Sequence, residues 1–427
     1  MPTPNTRPTK QQSDVQPERD HSPHSALRTP HSALKARRSA LRLCLIAPSL
    51  DITGGQSRQA AKLLAAYADE PSLVTDFIPH NPRLPEALRW MQQIKYVRTV
   101  VTTLWYWALL LMKCWRYDVL QVFSASYYSY LLSVAPAILI GKLYGKRVIL
   151  NYRSGEAEDH LQHWPLTTKP VMRLADRIVV PSGFLVDVFA RFGLRAQTIA
   201  NSVELERFPF RERSPLQPKF LCTRLFEPLY NIGNVIRAFH LIQQQLPEAT
   251  LTLAGDGSQR AALEQLVSEL GARDVTFRGF VKFEDMPALY DAHDVYLMAN
   301  DIDNMPATIL ESNACGLPVV TTDAGGIPYI VAHEQTALLV RCGDYENLAR
   351  QALRLFTEPD LTARLAQNGL VNAQQYTWLA IRDQWLGLYQ ELARPASQKS
   401  LKKFSIFNFT FFIAHCRNCL CALSDEK

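Results

Sequence analysis

From Leu41 onward, short apolar runs alternate with longer stretches of helical character, and this rhythm runs twice along the chain. The first cycle opens on Leu41-Arg-Leu-Cys-Leu-Ile-Ala47, turns at Gly54-Gly55 and continues as a predicted helix to about Tyr67. Strand-like segments follow at Asp118–Phe123, Arg147–Asn151, Arg177–Val180 and Gln197–Ile199. After the polar stretch Arg211–Pro218 the rhythm restarts, with predicted strands at Lys219–Leu225, Thr250–Ala254, Val275–Arg278, Val295–Met298, Pro318–Thr321 and Ala337–Val340. Strands separated by helices pair in parallel through crossover connections, so each cycle implies a parallel sheet covered on both faces.

The expected organisation has five parts. Residues 1–39, rich in Pro, Ser, His and Arg, read as a disordered arm. Two Rossmann-like domains follow at 40–213 and 214–377, then a helix at 378–395 packing back on the first domain, then an apolar tail of unknown order at 396–427. Helices are predicted over Ile232–Gln245, Gln259–Leu270, Met286–Ala292, Thr308–Cys315, Glu346–Glu358 and Trp378–Leu392. The last carries Trp378, Trp385, Leu386, Leu388 and Tyr389 on one apolar face, which must pack on something.

Composition narrows the partners. The net charge of +6 on 427 residues is mild and unaccompanied by a nucleic-acid-binding fingerprint, so no nucleic-acid partner is expected. Eight cysteines are scattered, the first five in apolar or strand-like context, which predicts reduced, buried thiols and a cytoplasmic location. The cluster His415-Cys416-Arg-Asn-Cys419-Leu-Cys421 lacks a second ligand pair at a zinc-like spacing, and no metal site is assigned. The first forty residues contain no apolar core of a signal peptide. The longest apolar runs, Val100–Met112 and Tyr130–Gly141, fall short of the roughly 20 residues that span a bilayer. Within Lys95–Tyr117, Lys95, Arg98, Lys113 and Arg116 are interleaved with Tyr96, Trp105, Tyr106, Trp107 and Trp115. That segment reads either as a helix at an anionic membrane surface or as a core helix with snorkelling ends.

Residues 301–340 hold the densest chemistry. Asp303 lies in a loop, Glu311 eight positions later in a helix, and the unit continues through Cys315-Gly316-Leu317-Pro318-Val319-Val320 to Gly325-Gly326-Ile327-Pro328. Outward-facing N–H groups at the helix start suit phosphate, and an ionised carboxylate suits the vicinal hydroxyls of a ribose. Further landmarks appear in order: Ala175-Asp176-Arg177-Ile178-Val179-Val180-Pro181-Ser182, Asn201-Ser202-Val203, Arg224-Leu225, Ala254-Gly255-Asp256-Gly257 and Phe277-Arg278-Gly279-Phe280-Val281.

Over about residues 40–395 this set resembles the family 4 (group 1) retaining glycosyltransferases. The resemblance implies a GT-B architecture, two Rossmann-like domains with parallel sheets facing across a cleft. It implies an acceptor site in the first domain and a nucleotide-sugar site in the second. Glu311 matches the carboxylate that holds the donor ribose. Asp303 stands where the family's first Glu stands and is expected to reach a sugar hydroxyl, with Asn304-Met305-Pro306-Ala307-Thr308 completing the donor loop. Arg224 is the expected partner of the diphosphate, because a guanidinium grips phosphate oxygens bidentately. The lysine that usually follows it is replaced by the run Glu227-Pro228-Leu229-Tyr230-Asn231, so Tyr230 or Asn231 is expected to donate in its place.

The resemblance implies Gly255 and Val281 as further donor-site positions and places the base near Phe280-Val281. Gly54-Gly55 reads either as an ordinary tight turn or as backbone amides facing phosphate or acceptor. Arg153 occupies the place of a histidine found in many relatives. It is permanently charged, so its expected role is to steady the leaving group or place the acceptor. Nearby His160 is expected to be a satisfied surface residue. Asp301-Ile302-Asp303 spells a metal-binding Asp-x-Asp string, but the resemblance is to metal-independent enzymes, so no cofactor is expected.

The implied reaction moves a hexose-type sugar from a UDP- or GDP-sugar to a lipid-linked or glycan acceptor. It proceeds with retention, by front-face attack in which the departing phosphate helps take the acceptor proton. The implied location is cytoplasmic, with a peripheral place on the inner face of the membrane. The rivals are a nucleotide-sugar epimerase of the same fold and a non-catalytic sugar-nucleotide-binding subunit.

Overall fold

The computed structural model describes residues 40–52 and 54–394. The predicted arm at 1–39, the tail at 396–427 and the cysteine cluster within that tail lie outside the described residues.

Six strands build the first sheet: β1 (Leu41–Ala47), β2 (Leu73–Pro79), β3 (Val119–Phe123), β4 (Arg147–Asn151), β5 (Arg177–Val180) and β6 (Gln197–Thr198). They pair in parallel in the order β2-β1-β3-β4-β5-β6, with Leu43 opposite Val119 and Leu120 opposite Val148. Alternation along β1 sends Cys44 and Ile46 to one core, while Leu43, Leu45 and Ala47 face another. The sequence patterning missed β2. Only Ile78 is fully buried there, and Thr75 and Asp76 interrupt its apolar run, as suits an edge strand.

The second sheet comprises β7 (Lys219–Cys222), β8 (Thr250–Leu253), β9 (Val275–Phe277), β10 (Val295–Leu297), β11 (Val319–Thr322) and β12 (Leu338–Val340). Its order, β12-β11-β10-β7-β8-β9, is that of a dinucleotide-binding sheet, and all pairs are parallel. Chain direction across each sheet reverses once, between β1 and β3 and between β7 and β10. Loops leaving the strand ends diverge there and open a crevice.

Helices α1 (Gly55–Ala68), α2 (Val97–Lys113) and α3 (Ala135–Leu143) flank the first half of the first sheet. After β4 come α4 (Ala157–His163), α5 (Pro165–Met172) and α6 (Gly183–Arg191). The second sheet carries α7 (Ile232–Gln245), α8 (Arg260–Leu270), α9 (Met286–Asp291), α10 (Ala307–Ala314) and α11 (Tyr345–Thr357). The patterning also missed α12 (Pro359–Gln374), which packs against α10 with Gly369 against Asn313. The final helix, α13 (Trp378–Ala393), returns to the first sheet. Ile381, Trp385, Leu388, Tyr389 and Leu392 share a core with Leu43, Leu45, Val119, Phe123 and Ile149. Its Tyr389 hydroxyl donates to Gln121 Oε1 at 2.5 Å, and Arg382 pairs with the buried Glu70 at 2.5 Å.

Two expectations are corrected. Cys44, Cys114, Cys222 and Cys315 are buried thiols, but Cys342 is exposed, because it follows β12 in a loop instead of lying in the strand. His160 is not a surface residue. It is fully buried among Tyr127, Tyr130 and Trp164, and burial pushes its imidazole down to about 4. Among the described residues no helix is long and apolar enough to cross a membrane.

Candidate active site

The loops at the C-terminal strand ends of the two sheets meet each other. Asn304 Nδ2 donates to the Arg153 carbonyl at 3.2 Å, the Asn201 amide lies 3.2 Å from Met305 Sδ, and Tyr329 donates to Asp187 at 2.5 Å. Buried polar atoms without partners collect at this meeting. Asn151 Nδ2, Arg153 Nη1, Ser182 Oγ, Asn201 Oδ1, Arg224 Nε, Asn300 Oδ1, Asn304 Oδ1 and Thr308 Oγ1 make up eight of the seventeen such atoms among the described residues. Asn151 ends β4, and the other seven lie in loops that leave β4, β5, β6, β7 or β10, or in the helix such a loop enters. An unmade buried hydrogen bond costs roughly 1–3 kcal/mol, so their concentration marks a surface built for a polar ligand. By contrast, a hollow of about 460 Å³ lined by Arg237, Gln259, Leu263, Leu266 and Glu269 contains none of them.

Arg224 follows β7. Its guanidinium pairs with Asp303 and lies 4.1 Å above the Tyr230 ring, leaving Nε unpartnered. Burial works against its charge, and the Asp303 carboxylate, joined by Tyr230, Tyr296 and Cys222, more than restores it. Asp303 also accepts from Asn300 Nδ2 at 2.8 Å and from the Met305 amide at 3.2 Å. Its carboxylate is therefore the hub that aims Arg224 and shapes the loop entering α10. Gly255, after β8, lets the Arg224 loop that follows β7 approach, since a methyl group there would collide with the Arg224 carbonyl. Gly325 and Gly326 do the same for the backbone at Asp303 and Asn304, and the Gly326 amide donates to the Asp303 carbonyl at 2.7 Å.

Glu311 lies on α10 and is 2% exposed. Its Oε2 accepts from Tyr290 at 3.0 Å, and the Tyr290 hydroxyl meets Thr223 Oγ1 at 3.2 Å. Burial raises its carboxyl, while the charge of Lys62, the Tyr290 hydrogen bond and the charge of Arg58 oppose the rise. Lys62 and Arg58 belong to α1, so the first domain brings positive charge toward a carboxylate of the second. Pro306, Ala307 and Thr308 form the start of α10, whose first-turn amides point out of the helix.

Arg153, after β4, is held by Nε donating to Asn151 Oδ1 at 2.8 Å and by its amide donating to Ser124 Oγ at 2.9 Å. It pairs with no carboxylate among the described residues, and burial pushes its guanidinium down to about 10. A partly buried guanidinium without a carboxylate partner favours an anion beside it.

Arg224, Asp303, Asn304, Met305, Gly255 and Arg153 thus form one connected cluster, with Glu311 on α10 joined through Tyr290 to Thr223 beside Arg224. Gly54 and Gly55 begin α1 at the end of β1, and Val281 follows β9, without hydrogen bonds to that cluster. Asn231 turns away and donates to Asp301 at 3.0 Å. The carboxylates of the Asp301-Ile302-Asp303 string therefore serve different partners. Sequence reasoning missed Tyr290, Thr223 and Asn300. Asn300 stands three residues before Asp303 and was open to recognition, whereas Tyr290 and Thr223 reach the site only through the sheet.

Residues 206–371 match the family model of glycosyl transferases group 1. The N-acetyl-alpha-D-glucosaminyl L-malate synthase of Bacillus anthracis is 27% identical over 209 residues, which is 46% of this chain and 54% of that protein. The D-inositol 3-phosphate glycosyltransferase of Saccharomonospora viridis is 29% identical over 52% of this chain and 57% of its own length. The chain spans about half the length of the curated relatives it matches. In overall structure it is similar to HepE of Anabaena, solved with UDP and glucose. The TM-score is 0.65 at 15% identity, over 82% of this chain and all of that one. Residues 206–371 are thus a glycosyl transferases group 1 domain, set in a chain with the two-sheet GT-B fold.

Proposed function

We propose that this chain transfers a hexose-type sugar from a UDP- or GDP-sugar to a lipid-linked or glycan acceptor, with retention of configuration, in polysaccharide or glycoconjugate synthesis on the cytoplasmic side of a membrane. The observation that carries the reading is the ring of orphaned buried polar atoms where the two sheets' crevices meet, because these atoms await the hydroxyls and oxyanions of a sugar nucleotide.

In this reading the nucleotide lies along the second sheet's crevice. The buried Glu311 carboxylate, its Oε2 steadied by Tyr290, accepts from the ribose hydroxyls, and the base sits by Val281. Arg224 turns its free Nε toward the diphosphate, with the first-turn amides of α10 and those at Gly54-Gly55 as further donors. Asp303 orients Arg224 and lies beside the sugar. As the glycosidic bond breaks, negative charge grows on the leaving phosphate, and Arg153 meets it from the first domain. That phosphate takes the acceptor proton on the face it leaves, so no separate base is required. The positive charge comes from fixed guanidinium groups in a dry cleft, where preorganised charge is most effective.

The test is a screen of the purified protein against UDP- and GDP-sugars, read by thermal shift and by donor hydrolysis, beside Glu311→Ala and Arg224→Ala. One donor should stabilise the wild type and be slowly hydrolysed, and both variants should lose at least tenfold in affinity. Absence of binding by every nucleotide sugar sinks the reading. Tight binding with neither hydrolysis nor transfer in any membrane extract supports a sugar-nucleotide-binding subunit instead.

A further inference from the structure

Helix α2 is rich in apolar residues, yet only Tyr106 and Leu110 of its seventeen are buried. Trp90 and Ile94 before it, Val100, Leu104, Leu111 and Met112 on it, and Trp115 after it are all exposed, Trp90 at 59% and Trp115 at 54%. The neighbouring helix extends this face with Leu132, Leu143 and Tyr144, and the Tyr144 hydroxyl donates to the Leu111 carbonyl at 2.9 Å. Exposed apolar residues gathered on neighbouring elements in this way mark an interaction surface. Between residues 87 and 117 there is no Asp or Glu, but there are Arg89, Lys95, Arg98, Lys113 and Arg116.

Both ends of α2 carry a cation beside an exposed aromatic ring. Lys95 Nζ lies 5.3 Å from the Tyr96 ring, and the Arg116 guanidinium lies 5.4 Å from the Trp115 ring. Tyr96 is 76% exposed and sits at φ 68°, a left-handed backbone that an aromatic residue adopts only under constraint. Amphipathic aromatic rings at both ends, basic charge and an exposed aliphatic middle are the chemistry of a helix lying in a lipid headgroup layer.

We infer that α2 and the adjoining helix form a docking face for an anionic lipid bilayer, lying in its plane. An anionic bilayer is favoured over a second protein copy by the one-sided charge, since two copies would oppose basic faces. The face leads to the candidate acceptor side of the cleft. Trp107 on α2 donates to the Leu132 carbonyl at 2.9 Å, in the π-helical turn Tyr130–Val134. That turn follows Ser126, whose hydroxyl donates to Ser154 at 2.9 Å beside Arg153. A lipid-carried acceptor held at the interface would reach Arg153 without leaving the membrane. This last clause rests on the transferase reading, and the docking itself does not.

Full-length protein is sedimented with phosphatidylcholine vesicles and with vesicles containing 30 mole per cent phosphatidylglycerol, without nucleotide. Alongside run Val100→Asp/Leu104→Asp and the fourfold Ala variant of Lys95, Arg98, Lys113 and Arg116. The expected result is binding to phosphatidylglycerol vesicles at least tenfold tighter than to neutral ones, weakened by salt. Each variant should lose at least tenfold while keeping its melting temperature and its thermal shift with nucleotide sugar. No binding by the wild type overturns the inference. So does undiminished binding by both variants, as expected if residues 396–427 carried the affinity, or a wild-type dimer that the Asp variant splits. Failure of the nucleotide-sugar shift alone would instead strike the transferase reading and leave the docking face standing.

Discussion

At the scale of single residues, the candidate site depends on side chains that hold other side chains in place. Tyr290 touches Glu311, and its hydroxyl is the single hydrogen-bond donor to that carboxylate among the described residues. A hydrogen bond to a charged group contributes about 1.5–3 kcal/mol, so Tyr290→Phe should weaken nucleotide-sugar binding about tenfold or more, measured by calorimetry. The pH profile adds a second readout. Burial already raises Glu311, and binding through the carboxylate is kept above its shifted range and lost as pH falls through it. Removing the Tyr290 donor raises the carboxyl further, so the loss should begin at a higher pH. An unchanged profile would show that Tyr290 only fills space. Asp303 is similar in kind. Asp303→Ala would strand the Arg224 guanidinium in a buried place, with an expected loss of about 3 kcal/mol of stability by denaturant unfolding.

At the scale of elements, two glycines predict opposite outcomes. Gly255 ends the β8 turn against the Arg224 carbonyl, so Gly255→Ala must push that backbone away and should lower both stability and nucleotide binding. Gly387 lies on the exposed side of α13 with open space where a methyl group would go, and Gly387→Ala should stabilise by about 0.5–1 kcal/mol. Thermal melts of the pair check both. His160 on α4 makes a pH prediction. Its folded value of about 4 lies below its ordinary 6.5, so the unfolded chain binds the extra proton between those values. Its contribution is intact above about pH 6.5 and is lost as pH falls toward 4, by about 1.4 kcal/mol per pH unit at most. His160→Phe should flatten that part of the acid limb, and an unaltered limb would clear His160 of the role.

At the scale of the molecule, the chain crosses between its two sheets and then returns, so that α13 finishes the first sheet's core. Truncation after Thr377 would expose Leu43, Leu45, Phe123 and Ile149 and strand Glu70, and the shortened chain should be insoluble or rapidly proteolysed. Most of the fold was legible in the sequence, because apolar runs and their spacing are local and a parallel βα cycle has few ways to close. Edge strand β2 and helix α12 escaped because half-exposed elements alternate weakly. The site was legible where its residues sit in one stretch, as from Asp303 to Thr308 and at Glu311. By itself, then, the sequence determined the paired parallel sheets, the glycine-tight turns and the residue types offered at the strand ends, all products of local periodicity and backbone sterics. Only the tertiary structure decided that Asp303 holds Arg224, that Tyr290 holds Glu311 and that, among the described residues, Arg153 has no counter-charge and α2 exposes its apolar face. Those facts depend on which distant side chains, dielectric and solvent surround each group, and no local spacing encodes them.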